Sequence, residues 1–193
     1  MNPSIDRVGN LIAVCGNSGS GKSTLVRHAV DEFPDELKYM KTVTTRQRRI
    51  DEDDMEYTFV NEHTYEQHRQ SAKIWDESSI YGNRYGVNAT LYIDALKQGQ
   101  NVIFCSIPSL EVMKDMRSIY GQTVLKTVQL MAGLEKSAEQ AKSRDGVIDL
   151  KRTTSDVNLT NGDRFEADYN LLPSGSLMTD KVNFLNIIRR IIS

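Results

Sequence analysis

The stretch Gly16-Asn17-Ser18-Gly19-Ser20-Gly21-Lys22-Ser23-Thr24 contains the pattern G-x-x-x-x-G-K-S. Residues of these types at this spacing can hold a chain of phosphates. Glycines let the backbone curl until successive N–H groups point inward at phosphate oxygens, and a helix that starts directly afterwards aims its N-terminus at the same anion. Lys22 can reach the β- and γ-phosphates, and the Ser23 hydroxyl can ligate Mg²⁺. All nine positions, Gly16 through Thr24, are therefore expected to bind a nucleoside triphosphate, with Mg²⁺ as cofactor. Gly16-x-x-Gly19-x-Gly21 could also open a dinucleotide-binding turn. The Lys-Ser pair that follows, and the lack of a ribose-binding acid at the end of the next strand, argue against it.

A second group of chemically capable residues follows: Thr42-Val43-Thr44-Thr45-Arg46-Gln47-Arg48-Arg49-Ile50-Asp51-Glu52, then Tyr57-Thr58-Phe59-Val60. Clustered arginines can grip a dianionic phosphate through bidentate N–H forks. The same arginines, balanced by Asp51, Glu52, Asp53, Asp54 and Glu56, also read as a solvated charged loop. The residues alone leave both readings open. The acidic run lacks the glycine and distal glutamate of an EF-hand loop, so calcium is not implied. His63 and His68 stand at i, i+5 on a polar helix, unsuited to one metal, and His28 reads as surface or packing. Trp75 either lines the small lobe or fills its core.

Strand-like and helix-like segments alternate around these residues. Leu11–Cys15 is an apolar run ended by glycine, as in a buried parallel strand. Helical spacing covers 23–33 and stops before Pro34. Lys38–Thr44 reads as a second strand, and Tyr57–Val60, Ile74–Ser79 and Arg84–Gly86 as short ones around a polar helix at Glu62–Ser71. A helix at Asn88–Gln98 closes at Gly99, and Asn101–Ser106 is the next strand. Helix 109–120, strand Val124–Leu130, helix 134–143, strand Tyr169–Leu172 and helix Thr179–Ile192 complete the chain. This alternation predicts an α/β fold in three layers: a mostly parallel sheet covered on both faces. The short strands break the rhythm and predict a small inserted β-rich lobe at about 45–86, within a core of 8–44 and 87–193. The polar stretch 144–164 is the candidate for a short lid.

Bulk properties narrow the class. A chain of 193 residues suits one domain and can bury a sizeable core without staples. Lys plus Arg (24) nearly balances Asp plus Glu (26), for a net charge of −2, which argues against nucleic acid as a partner. Apolar runs such as Val102–Cys105 fall far short of the ~20 residues that span a bilayer. The N-terminus has no basic-then-apolar signal pattern. Cys15 and Cys105 lie in apolar stretches and read as buried thiols. A cytoplasmic protein acting on a small molecule is expected, with monomer and homodimer both open.

In this order, the phosphate loop, T-T-R-x-x-R-x-x-E, Y-x-F-V and Tyr85-Gly86 resemble the guanylate kinase family, a group of P-loop nucleoside monophosphate kinases, over nearly the whole chain. The resemblance implies a P-loop NTPase fold and ATP-dependent phosphorylation of a nucleoside monophosphate, GMP or dGMP first. It implies that Arg46, Arg49, Tyr57 and Tyr85 hold the acceptor phosphate, with Glu52 as the glutamate after the second arginine. Thr42 and Asp76 are implied at the base, and Arg144 and Arg152 as lid arginines that join Lys22 in catalysis.

Departures from the family pattern gather at the base. Val87 follows Tyr-Gly where Ser or Thr is usual, the shorter Asp76 matches the family's glutamate, and Phe104-Cys105-Ser106-Ile107 replaces the strand with Asp-x-Asp. Reduced guanine selectivity is expected, since each lost hydrogen bond costs about 1–3 kcal/mol. Tyr-Gly-Val and the missing Asp-x-Asp are also similar to enzymes that phosphorylate ribose 1,5-bisphosphate, so a sugar phosphate is the alternative acceptor. A non-catalytic protein-binding module of the same fold is a third reading, disfavoured by the intact Lys22.

Overall fold

The computed structural model describes residues 8–16, 20–50, 52, 54–71, 74–80, 82–88, 90–106, 124–131 and 166–193. Their elements are, in chain order, β1 (Leu11–Cys15), α1 (Lys22–Glu32), β2 (Leu37–Tyr39), β3 (Thr42–Thr44), β4 (Tyr57–Phe59), α2 (Glu62–Gln70) and β5 (Ile74–Ile80). Then come β6 (Asn83–Asn88), α3 (Thr90–Lys97), β7 (Asn101–Ser106), β8 (Leu125–Leu130), β9 (Tyr169–Leu171) and α4 (Leu177–Ile192). The expected helices at 109–120 and 134–143 and the lid at 144–164 lie outside the described residues.

The larger sheet runs β2-β7-β1-β8-β9, and every strand pair in it is parallel. An unbroken apolar strand such as β1 needs cover on both faces, and its alternate residues divide between two cores. Ile12 and Val14 pack with Val26 of α1, Ile103, Val128, and Phe184 and Ile188 of α4. Leu11, Ala13 and Cys15 pack on the other face with Tyr92 and Leu96 of α3, Val102 and Phe104. These are the layers of an α/β P-loop fold.

Several boundaries shift from those expected, and two of the shifts change how elements connect. Lys38–Thr44 is not one strand: β2 belongs to the larger sheet and β3 to a second sheet of order β4-β3-β6-β5. The break falls at Met40-Lys41, where the Met40 N–H donates to the Ile103 carbonyl (2.8 Å) and the Lys41 N–H to the Tyr92 hydroxyl (2.9 Å). Asn88 is the last residue of β6, and α3 starts at Thr90.

In the second sheet β3 pairs parallel to β4 and antiparallel to β6, which pairs antiparallel to β5 with a bulge between Trp75 and Ser78. Helix α2 packs beside it, begun by Asn61, whose side chain accepts from the Thr64 N–H (2.8 Å). Arg84 of β6 joins helix to sheet. Its guanidinium lies 4.3 Å from the centroid of buried Tyr65, bonds Glu66 at 3.0 Å and pairs with Glu77.

At the amino end of the larger sheet a polar knot sets the strand register. Buried Asn101 accepts at Oδ1 from the Asn10 N–H (2.9 Å) and Asn10 Nδ2 (3.0 Å), and its Nδ2 donates to the Glu36 carbonyl (3.1 Å). Asn10 Nδ2 also donates to the Ile191 carbonyl at 2.9 Å, tying in the end of α4. Asn101→Ala is expected to leave these groups unmatched and lower unfolding free energy by about 2–3 kcal/mol, read by urea denaturation, without removing any group at the opposite, carboxyl end of the strands.

Candidate functional site

The carboxyl end of β1 runs directly into the phosphate loop. Gly16 has φ +154°, and a Cβ there would lie 2.8 Å from Ser20 Oγ and 3.1 Å from the Leu130 carbonyl oxygen, so the close pass over β8 requires glycine. Gly21 caps α1 in the left-handed region at φ +88°, with no side-chain cap and no acid in the helix's first turn. An uncompensated helix N-terminus favours an anion. The Ser20 hydroxyl is buried with no hydrogen-bond partner among the described residues, a polar atom suited to a phosphate oxygen. Lys22 folds back so that Nζ donates to the Gly16 carbonyl (2.6 Å), and Thr24 is exposed on α1. Asn17, Ser18 and Gly19 lie outside the described residues.

Ser23 Oγ donates to Glu56 Oε2 at 3.0 Å, and Arg27, one helical turn on, lies 3.7 Å from the same carboxylate. Glu56 is held in turn by its carbonyl, which accepts from the Thr42 N–H of β3 (2.9 Å). This contact joins the second sheet to the phosphate loop. In the sequence Glu56 stands among the counter-charges of the acidic run, with no local signal that sets it apart.

At the face of the second sheet, Arg46, Tyr57 and Tyr85 come together. The Arg46 guanidinium sits 5.0 Å from the Tyr57 centroid and 5.2 Å from that of Phe59, and the Tyr57 and Tyr85 rings meet edge-on at 6.5 Å. Register explains the grouping. Thr42 pairs laterally with Tyr57 and Val87, and Thr44 with Phe59 and Tyr85, so all six side chains leave one face of the sheet. Glu52 positions the arginine, accepting from Arg46 at 2.5 Å and from the Arg49 backbone N–H at 3.1 Å. Arg49 itself is exposed and is tied to this group through its backbone. The charged loop is thus neither all site nor all solvent: Arg46 is half-buried, Arg48 and Arg49 are exposed.

Burial pushes the Tyr57 hydroxyl up to about 12, with the Glu56 charge adding and Arg46 opposing. It stays a proton donor at neutral pH. Burial likewise raises the Cys105 thiol, at the end of β7, to about 11 against the pull of Lys22 and of hydroxyls from Tyr39 and Ser23, and lifts Cys15 to about 12. Neither thiol is poised to react. Val87, expected at the base's edge, is buried with Phe104 and Tyr92, so the core accounts for its lack of a polar group. Asp76 lies in β5 at the bulge opposite Gly86. Arg144 and Arg152 lie outside the described residues.

A family model described as guanylate kinase matches residues 8–104. The chain is 34% identical over 99 residues to a guanylate kinase of Oleidesulfovibrio alaskensis, covering 51% of this chain and 48% of that one. It is 26% identical over 151 residues to a guanylate kinase of Ehrlichia canis, covering 78% and 71%. The chain spans about half the length of the first curated relatives it matches. Among solved structures, a guanylate kinase from Anaplasma phagocytophilum superposes with TM-score 0.69 at 16% identity, over 97% of this chain and 88% of that one. A gluconokinase from Sinorhizobium meliloti does so with TM-score 0.55 at 12% identity, over 96% and 95%. Both structural likenesses are of fold.

The Arg46–Glu52 pair predicts a pH dependence. Burial alone would raise Glu52, but the hydrogen bond from Arg46, the Arg49 N–H and the nearby positive charges outweigh it and hold the carboxyl below the usual range. A lowered folded-state pKa stabilises above the unfolded value and loses that contribution as pH falls through the folded value. Glu52→Gln is therefore expected to cost about 1 kcal/mol at pH 7. In thermal melts from pH 7 to pH 3, its gap from wild type should narrow below about pH 4.5.

Proposed function

The chain belongs to the guanylate kinase family, and on that footing we propose that it transfers the γ-phosphoryl group of ATP to a nucleoside monophosphate, GMP or dGMP first. The observation that supports this reading is the contact between the start of α1 and the second sheet. Ser23 bonds Glu56, the residue before Tyr57, beside the cluster of Arg46, Tyr57 and Tyr85. Phosphoryl transfer depends on positioning and charge neutralisation more than on covalent chemistry, so no side-chain nucleophile is called for.

In this reading the loop amides and the N-terminus of α1 hold the donor's phosphates. Lys22 swings from the Gly16 carbonyl to the transferring group and stabilises the charge that develops there. Arg46 and the Tyr57 and Tyr85 hydroxyls fix the acceptor phosphate, Glu52 keeps Arg46 extended, and Arg49 joins from the adjoining turn. Thr42 and Asp76 are proposed to face the base, and Arg144 and Arg152 to close over the reacting groups and exclude water. The donor set near the loop is made of hard oxygens, a serine hydroxyl and a carboxylate, and suits Mg²⁺, which is bound by a few protein oxygens together with substrate phosphates. Bound at Ser23, the ion would neutralise charge on the donor's β- and γ-oxygens.

The acceptor is read from an ATP-consumption panel of GMP, dGMP, AMP, CMP, UMP, dTMP and ribose 1,5-bisphosphate. GMP or dGMP is expected to lead, with measurable turnover of another monophosphate. Turnover of ribose 1,5-bisphosphate alone would replace the nucleotide reading with a sugar-phosphate one, and nucleotide binding without any turnover would indicate a binding module. Lys22→Ala should lower kcat by about 10²–10³-fold or more with an unchanged melting curve. Arg46→Ala should raise the acceptor KM about 10–100-fold, the loss of one charge-assisted contact, and leave the KM for ATP near wild type.

A further inference from the structure

In phosphate loops of this kind the divalent ion is held by the loop's Ser or Thr and by an acid from a neighbouring strand. Here the strands on either side of β1 end in Cys105-Ser106 and Gln129-Leu130, with no carboxylate. The carboxylate that reaches the loop comes from the other sheet. Glu56 Oε2 accepts the Ser23 hydroxyl hydrogen at 3.0 Å. A hydroxyl has one hydrogen and two lone pairs, so while its hydrogen is donated to Glu56, the Ser23 oxygen presents lone pairs elsewhere, as a metal ligand must. A carboxylate accepting from a ligand's hydrogen also raises the basicity of the ligating atom and fixes its orientation. Glu56 is itself fixed, by the Thr42 N–H to its carbonyl and by Arg27 at 3.7 Å from its carboxylate.

We infer that Glu56 is the positioning residue for the divalent ion: it orients the Ser23 hydroxyl oxygen and supplies, from the acceptor-side sheet, the negative charge that the strands beside β1 lack. The inference rests on the loop being the metal–nucleotide donor site proposed above. Cys105 marks where the strand charge is missing: it pairs with Val14 at the carboxyl end of β1.

The test is Mn²⁺ binding, followed by electron paramagnetic resonance of free Mn²⁺ in the presence of the β,γ-imido analogue of ATP. Glu56→Gln keeps the side chain's shape and removes its charge. It should weaken Mn²⁺ binding about 10–100-fold, while affinity for the analogue in EDTA and the melting temperature stay close to wild type. Adding Cys105→Asp to Glu56→Gln restores a carboxylate from the strand side and should recover part of the lost Mn²⁺ affinity. If the double variant does not fold, the single one decides. Wild-type Mn²⁺ affinity in Glu56→Gln would overturn the inference. So would an equal loss with and without metal, the signature of a purely structural contact. A wild-type protein that binds no analogue under either condition would remove the donor reading itself, and this inference with it.

Discussion

Strand β1 is buried at all five positions and paired in parallel on both sides, and the placement of the site follows from that burial. A strand with apolar cores on both faces and ladders on both edges has no freedom to shift register, because a one-residue slip would exchange the residues facing α1 with those facing α3. Gly16, at its carboxyl end, inherits that fixity. It passes so close to the Leu130 carbonyl that a side chain has no room, and Gly21 is left-handed where α1 starts. The polar knot around Asn101 holds the opposite end of the same strands, so β1 is anchored along the full depth of the sheet.

Charge is managed in the same way on both sides of the site. Arg46 is paired with Glu52, Arg27 with Glu56, and Arg84 with Glu66 and Glu77. Exposed pairs of this kind contribute little to stability, but a guanidinium held extended by a carboxylate loses less freedom when it takes a phosphate. Arg46 illustrates this. Glu52 and the Gln47 carbonyl engage its two terminal nitrogens, the aromatic faces of Tyr57 and Phe59 support its plane, and a guanidinium has more N–H donors than these bonds use. The acidic run that looks like a solvated face thus includes carboxylates that position the arginines.

What the sequence made legible was local. The phosphate loop, β1 and α1 are contiguous, and their glycine, lysine and apolar spacing directly encode the geometry found at Gly16, Gly21 and Lys22. The approach of Arg46, Tyr57 and Tyr85 is a matter of strand register across β3, β4 and β6, and only family resemblance suggested it. The division of Lys38–Thr44 between two sheets was hidden because an apolar residue, Met40, stands at the break, its side chain in the core while its N–H bonds Ile103. Val87 was read for what it fails to offer a base, whereas its burial beside Phe104 and Tyr92 shows what it offers the fold. Glu56 was unreadable for a physical reason. Among neighbouring acids, nothing local separates the one whose carboxylate meets Ser23, a residue 33 positions away in the chain.

Glu56 and Tyr57 are consecutive, and consecutive residues at a strand entrance point to opposite sides. One therefore meets the loop serine while the other meets Tyr85 and Arg46. Their Cα atoms are about 3.8 Å apart across a planar peptide, so the contact with Ser23 and the cluster with Arg46 and Tyr85 are tied together through one peptide bond. In-line transfer tolerates little error, since a displacement of about 1 Å can cost ~10²-fold in rate. A carboxylate on β7 would be carried by the same sheet as β1 and could not follow the second sheet. A carboxylate placed beside Tyr57 moves with the residues proposed to hold the acceptor. With no acid on the strands beside β1, the charge that meets Ser23 sits on the element that carries Tyr57.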